Sequence, residues 1–277
     1  MRLLLTAATF TLLSMSALAT EPVSPVQRAV DGEHRSAGSR ARDVYRHPRE
    51  TLEFFGLRPD MTVVEMWPGS GWYTEILAPV LAESGQLYTA QYSANPVAAY
   101  QRRYYGAFLT MLGAHPDVYR DVTVTTFYPP YSLEIAPRGS ADMVLTFRNL
   151  HNWIGDQRKD GMSAALAFRS MYDALKPGGV LGITDHRWPE DGADADPFDT
   201  GYMKASEAIA MAEAAGFKLV ARSEVNANAR DTRDYQEGVW TLPPSLALGE
   251  TDREKYLAIG ESDRFTLKFV KPLTATP

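Results

Sequence analysis

The chain has 277 residues, a formal net charge of −6 at neutral pH and no cysteine. That length holds one large α/β domain or two small ones, and the 45% apolar and 22% charged fractions are those of an ordinary folded protein. The missing cysteine excludes a disulfide framework, a thiolate nucleophile and a cysteine-ligated metal, and the acidic balance argues against nucleic acid as a partner.

The first twenty residues stand apart from the fold. Arg2 precedes an apolar stretch, Leu3 to Leu18, closed by Ala17-Leu18-Ala19, and Glu21-Pro22 follow at once. This is the pattern of a secretory signal peptide cleaved after Ala19, too short for a comfortable membrane span; an uncleaved N-terminal anchor is the alternative. No cysteine lies near the site, which excludes a lipid anchor. The expectation is an exported protein, periplasmic or secreted, with no stable membrane anchor after cleavage. Residues 20–41, with Pro22, Pro25, Gly32 and Gly38, are expected to form an irregular leader, and residues 42–277 a single domain.

A polar cluster containing Arg42, Tyr45, Arg46 and His47 comes next, and Pro48 opens a helix with Leu52, Phe54 and Phe55 on its apolar side, ended by Gly56. Residues 61–66, with Val63 and Val64, predict a buried strand. Pro68, Gly69, Ser70 and Gly71 form a turn, and a helix follows from Trp72 to Leu81. Glycines let a backbone approach a ligand closely, and the helix N-terminus offers free N–H groups to it. Residues 86–92 predict a second strand. A helix from Asn95-Pro96 to about Met111 carries Tyr100, Tyr104, Tyr105 and Phe108 at a spacing that favours core packing over a ligand wall.

A third strand at 122–127 runs into Tyr128-Pro-Pro-Tyr131, and a fourth at 141–147 ends in Arg148-Asn149-Leu150-His151-Asn152-Trp153. A helix at 161–175 stops at Lys176-Pro177-Gly178-Gly179 before a fifth strand, 180–186. An acidic loop at 189–199, a helix at 202–215 and a sixth strand at 217–225 follow. Residues 226–262 look like an inserted polar loop with one short helix, and 264–270 alternate as a final strand. Strands separated by helices require a parallel sheet, while the last strand, reached without a full helix, should run antiparallel at or near an edge. The fold class is therefore α/β, a seven-stranded Rossmann-like sheet with helices on both faces.

The stretch Glu65-Met-Trp67-Pro68-Gly69-Ser70-Gly71-Trp72-Tyr73-Thr74 resembles the first motif of class I S-adenosylmethionine-dependent methyltransferases, with Trp67 where the first glycine would stand. Leu175-Lys-Pro-Gly-Gly-Val-Leu181 and Ala214-Ala-Gly-Phe217 are similar to later turns of that class. Tyr45-Arg-His-Pro48, Asp185-His-Arg187 and Asp263-Arg-Phe265 resemble an exported family of predicted methyltransferases. The resemblance spans about Arg42 to Pro272 and implies S-adenosylmethionine as cofactor. Glu65, Trp67, Pro68, Gly69, Ser70, Gly71, Trp72 and Tyr73 would hold it, with Gln91 or Tyr92 at the position where the class bonds the ribose.

The strand ends then supply the chemistry. His151 is the candidate base, because an imidazole titrates near neutral pH; its bland role is a helix-start residue bonded to backbone. Arg148 and Asn149 would assist it, and Asn152, Trp153, Tyr131, Tyr45 and His47 are candidates to bind the substrate, a small or extracytoplasmic acceptor. No metal is expected, although Asp185 and His186 with His151 are the residues that would hold one. Two rival functions remain: a non-catalytic small-ligand binder on the same fold, and a metal-dependent enzyme built on those three residues.

Overall fold

Residues 23–155, 164–193 and 197–273 are described by the structure, a computed structural model. The expected signal peptide and residues 161–163 of the expected fourth helix lie outside the described residues. The segment before residue 41 differs from the expected irregular path. It carries α1 (Pro25–Val30) and α2 (Ala37–Arg40), whose first turns are capped by the side chains of Ser24 and Ser36. Val26, Ala29 and Val30 are buried in the core, and Arg35 is clamped on Asp43 by two 2.8 Å bonds. Six residues are too few to show a helical period, but the two serine caps were visible signals. Next come α3 (Asp43–Arg46) and α4 (Pro48–Phe55), joined through His47 in the left-handed conformation.

The sheet follows the expected alternation: β1 (Thr62–Met66), α5 (Thr74–Leu81), β2 (Gln86–Gln91), α6 (Ala99–Ala114), α7 (Pro116–Tyr119), β3 (Val122–Thr126) and β4 (Ala141–Phe147). After α8 (Leu150–Gly155) and α9 (Ala164–Ala174) come β5 (Leu175–Trp188), α10 (Pro197–Thr200), β6 (Met203–Lys204), α11 (Ala205–Ala214) and β7 (Lys218–Ser223). A short 3₁₀ turn (Gly238–Thr241), α12 (Arg253–Ile259) and β8 (Arg264–Val270) complete it. The spatial order is β3-β2-β1-β4-β5-β8-β7, with two-residue β6 paired only to the end of β5. All other pairs are parallel except those of β8, which lies antiparallel between β5 and β7, one place in from the edge.

Period-two alternation divides the core between the two faces. Val63, Met143 and Leu145 pack with Leu52, Phe55, Ile76 and Leu77 on one side; Val64 and Val144 pack with Phe168, Met171, Ala208 and Ala212 on the other. The Lys176–Gly179 stretch, expected as a turn, is part of β5, where the register against β4 shifts between Ala141 and Met143. The inserted loop holds the 3₁₀ turn as well as the expected helix. Among the described residues no helix is long and apolar enough to cross a membrane.

Candidate active site

A cavity of about 590 Å³ opens at the carboxyl ends of β1, β4 and β5, where ligands bind in open α/β sheets. The glycine turn forms its floor. Gly69 and Gly71 both have positive φ, 62° and 96°, but for different reasons. A Cβ on Gly69 would meet nothing within 4 Å, so this glycine leaves open space beside Ser70. A Cβ on Gly71 would lie 2.2 Å from Met111 Cε and 3.2 Å from Phe108 Cδ2, so here α6 packs directly on the turn. Glu65, buried beneath, accepts a 2.6 Å bond from Thr74 Oγ1; burial outweighs that bond and pushes its carboxyl up to about 8.

Opposite the turn, Asp185 organises two histidines. Its Oδ2 accepts from the backbone N–H groups of Leu150 (2.7 Å) and His151 (3.3 Å), and its Oδ1 from the N–H of His186 (2.8 Å). His151 Nδ1 lies 2.8 Å from the same Oδ1. With Asp185 as a carboxylate, which only accepts, the His151 Nδ1–H donates to it, and among the described residues no hydrogen bond is made by Nε2, on the ring that lines the cavity. His186 Nδ1 meets Ser262 Oγ at 2.5 Å. Burial, then His151, Arg148, Arg264 and Arg46, hold His186 well below its ordinary range and therefore neutral.

The third wall is cationic. Glu261, buried, bonds Arg42 Nε (2.7 Å), Arg46 Nε (2.9 Å) and Arg264 Nη1 (3.2 Å), with Arg148 Nη1 at 3.9 Å. Burial pushes the Glu261 carboxyl up, but the four arginines together outweigh it and hold it far below its ordinary value. Burial is the largest influence on Arg46 and Arg148, which fall to about 9 and about 10. Strained backbone accompanies the site: Trp67 (φ 40°) and Arg148 (φ 61°) both line the cavity in the left-handed region.

Solved structures share this arrangement of strands. A methyltransferase dependent on S-adenosylmethionine from Aquifex aeolicus matches 90% of this chain and 100% of its own, at 16% identity and a TM-score of 0.53. This chain has the class I methyltransferase fold. The [4+2]-cyclase SpnF shares the fold over 90% of this chain and 92% of its own (18% identity, TM-score 0.53), so the methyltransferase fold by itself does not assign a reaction. A phosphoethanolamine N-methyltransferase from Haemonchus contortus matches 91% of this chain and 60% of its own, at 16% identity and a TM-score of 0.53. No protein-family model and no curated protein matches the sequence.

The residues present fit the cofactor of that fold at its two ends. Glu65 lines the cavity with a buried carboxyl, neutral by burial, that an ammonium group beside it would draw into its charged form, and Tyr92, Tyr100 and Tyr104 form an aromatic wall suited to a purine. The ribose contact assigned to Gln91 is corrected. Gln91 does not line the cavity: its Nε2 donates to Gly69 O and its Oε1 accepts from Tyr92 N, both at 3.0 Å, so both ends of the amide are committed to holding the turn.

The other candidates divide clearly. Trp67, Pro68, Gly69, Ser70, Trp72, Tyr73, Arg148, Asn149 and Asn152 line the cavity as expected. Trp67 is also a core residue, its Nε1 donating to Phe127 O (3.0 Å) and its ring packed on Tyr92, Phe127 and Trp153. Asn149 donates to Met66 O (2.9 Å), tying β4 to β1. Gly71 supports the turn without lining the cavity. Four candidate substrate contacts are elsewhere: Trp153 is fully buried beneath Trp67, Tyr131 is 81% exposed against Tyr128, Tyr45 packs against Gly260, and His47 links two helices. Their neighbours Arg42 and Arg46 line the site instead. Tyr100 and Tyr104 line it too, against the expectation of core packing, because that stripe turns only Phe108 fully inward. Trp240 and Glu261, from the inserted loop, were not anticipated at all.

His151, Asp185 and His186 bring one ligand atom each within 4.8 Å of one another, as a metal site requires. Both oxygens of Asp185, however, already accept hydrogen bonds, and the arginines bearing on His186 set up a field that opposes a dication.

Proposed function

We propose that the protein transfers a methyl group from S-adenosylmethionine to a small or extracytoplasmic acceptor, with His151 as general base. The observation that carries this reading is the His151–Asp185 pair facing a glycine-floored cavity at the strand ends. When bound, the cofactor supplies an electrophilic methyl carbon on a sulfonium sulfur, which departs as a neutral thioether. His151 Nε2 takes the proton that an acceptor hydroxyl or amine loses as its bond to carbon forms. Asp185 fixes the ring orientation and stabilises the imidazolium, and its own three backbone N–H donors keep it in place. Residues 2–19 support export, so the same proposal places the protein outside the cytoplasm.

Isothermal titration of the purified protein with S-adenosylmethionine and S-adenosylhomocysteine tests the reading; saturable binding of both is expected, and heat-silent titrations at millimolar ligand would sink it. The commitment of Gln91 to Gly69 and Tyr92 favours a second reading, a binder of another small ligand. Mass spectrometry of ligand released on denaturing the purified protein separates them, since a non-nucleoside ligand excludes the first.

A further inference from the structure

The arginine wall holds more charge than the fold uses. Arg42, Arg46, Arg148 and Arg264 surround one carboxylate, Glu261, and leave the cluster with an excess of positive charge. Arg42 Nη2 and both Nη1 and Nη2 of Arg46 are buried with no hydrogen-bond partner among the described residues. A buried donor without an acceptor is costly, and Arg46 itself is only 1% exposed. Trp72 covers one face of the Arg46 guanidinium at 4.5 Å but accepts nothing from its edge nitrogens. Arg42, Arg46 and Arg148 all line the cavity. We propose that these three arginines form a built site for an oxyanion, a phosphate or carboxylate group, carried by the acceptor.

Position assigns the anion to the acceptor. Arg148 directly precedes the Asn149–His151 segment, and Glu261 directly precedes Ser262, which bonds His186. The cluster therefore adjoins the imidazoles, where an acceptor must sit for His151 to take its proton, whereas Tyr92 directly follows β2 and Tyr100 and Tyr104 belong to α6. Charge points the same way. S-adenosylmethionine carries a sulfonium and an ammonium against one carboxylate, a net cation that this wall repels. An oxyanion on the acceptor balances the wall and gives the guanidinium edges the charge-assisted, forked bonds they lack. Burial first, and then neighbouring arginines, lower both Arg46 and Arg148, and an anion set between them would offset both effects.

The word acceptor rests on the methyl-transfer reading; the oxyanion site does not. The test is titration of inorganic phosphate into the purified protein, alone and saturated with S-adenosylhomocysteine. One saturable phosphate site is expected, weakened about tenfold or more in Arg46→Gln and unchanged by S-adenosylhomocysteine. Arg42→Gln, at a side chain 26% exposed, gives the same readout should the buried substitution fail to fold. An absent phosphate site, or one indifferent to both substitutions, overturns the proposal. Phosphate displaced by S-adenosylhomocysteine also overturns it, because the wall then serves the cofactor's own carboxylate. Arginine-dependent phosphate binding in a protein that ignores S-adenosylhomocysteine upholds the site and removes the methyl-transfer reading alone.

Discussion

Replacing Glu65 by glutamine removes one titrating group while keeping its shape and its bond to Thr74. The folded carboxyl sits at about 8 because burial penalises its charged form, against an ordinary value of 4.5 in the unfolded chain. Between these values the folded protein holds a proton that the unfolded chain has released. Stability must therefore fall as pH rises, by about 1.4 kcal/mol per unit, and level off above the folded value. From pH 5 to pH 7 the wild-type protein should lose about 3 kcal/mol that Glu65→Gln retains. All other groups titrate alike in the two proteins, so the difference isolates this residue. Urea unfolding of both at half-unit steps from pH 5 to pH 8 measures it. A difference that stays flat across that range would show the carboxylate ionised in the native state and refute the burial argument.

Glu261→Gln leaves Arg42, Arg46 and Arg264 without their anion and should destabilise the fold by about 3–5 kcal/mol in urea at neutral pH; a loss below 1 kcal/mol would mean that the arginines find other partners. Because the folded value of Glu261 is depressed, its contribution is present above pH 4.5 and lost as pH falls through the folded value, which acid titration of wild type against the variant should record. Asp185→Asn cannot accept all four of the native hydrogen bonds; methyl transfer should fall about 10²–10⁴-fold with an altered pH profile and unchanged affinity for S-adenosylhomocysteine. Equal losses in rate and affinity with the native pH profile would give Asp185 a structural role only. Gly71→Ala should lower stability by about 1–3 kcal/mol, since left-handed backbone and contact with α6 both oppose it. Gly69→Ala meets no neighbour, so it should cost only the left-handed backbone strain, about 1 kcal/mol, and weaken ligand binding; calorimetry separates the two effects.

The sheet was legible because its information is local. Val63 and Val64 mark a strand buried on both faces, and the helices between strands dictate parallel pairing whatever the rest of the chain does. The His151–Asp185 pair was half legible: His151 stood out at a strand end, but its bond to Asp185, a candidate metal ligand in the sequence, depends on β4 and β5 lying side by side. Gln91 was placed at the correct strand end and given the wrong partner, because an amide can satisfy itself on Gly69 and Tyr92 where a carboxylate would have needed a hydroxyl. Near the amino end, Tyr45 and His47 were the candidates for substrate contact, while Arg42 and Arg46 counted only as members of the same polar cluster. Glu261 bonds both, and no periodicity connects residues that far apart.

That separation ties the two ends of the domain together. Arg42 and Arg46 reach Glu261 across 219 and 215 positions of the chain. Without that carboxylate Arg46 and Arg148 only repel one another, so the polar side of the amino-terminal helices depends on it even though their apolar side packs with β4 in the core. Contacts so distant in sequence close late, after most of the chain's freedom has been spent. β8 thus works as a clasp: its insertion beside β5 carries Glu261 into place and in the same motion brings Ser262 to His186. The strand that completes the pairing of β5 is thus tied by three residues to the cationic wall of the cavity.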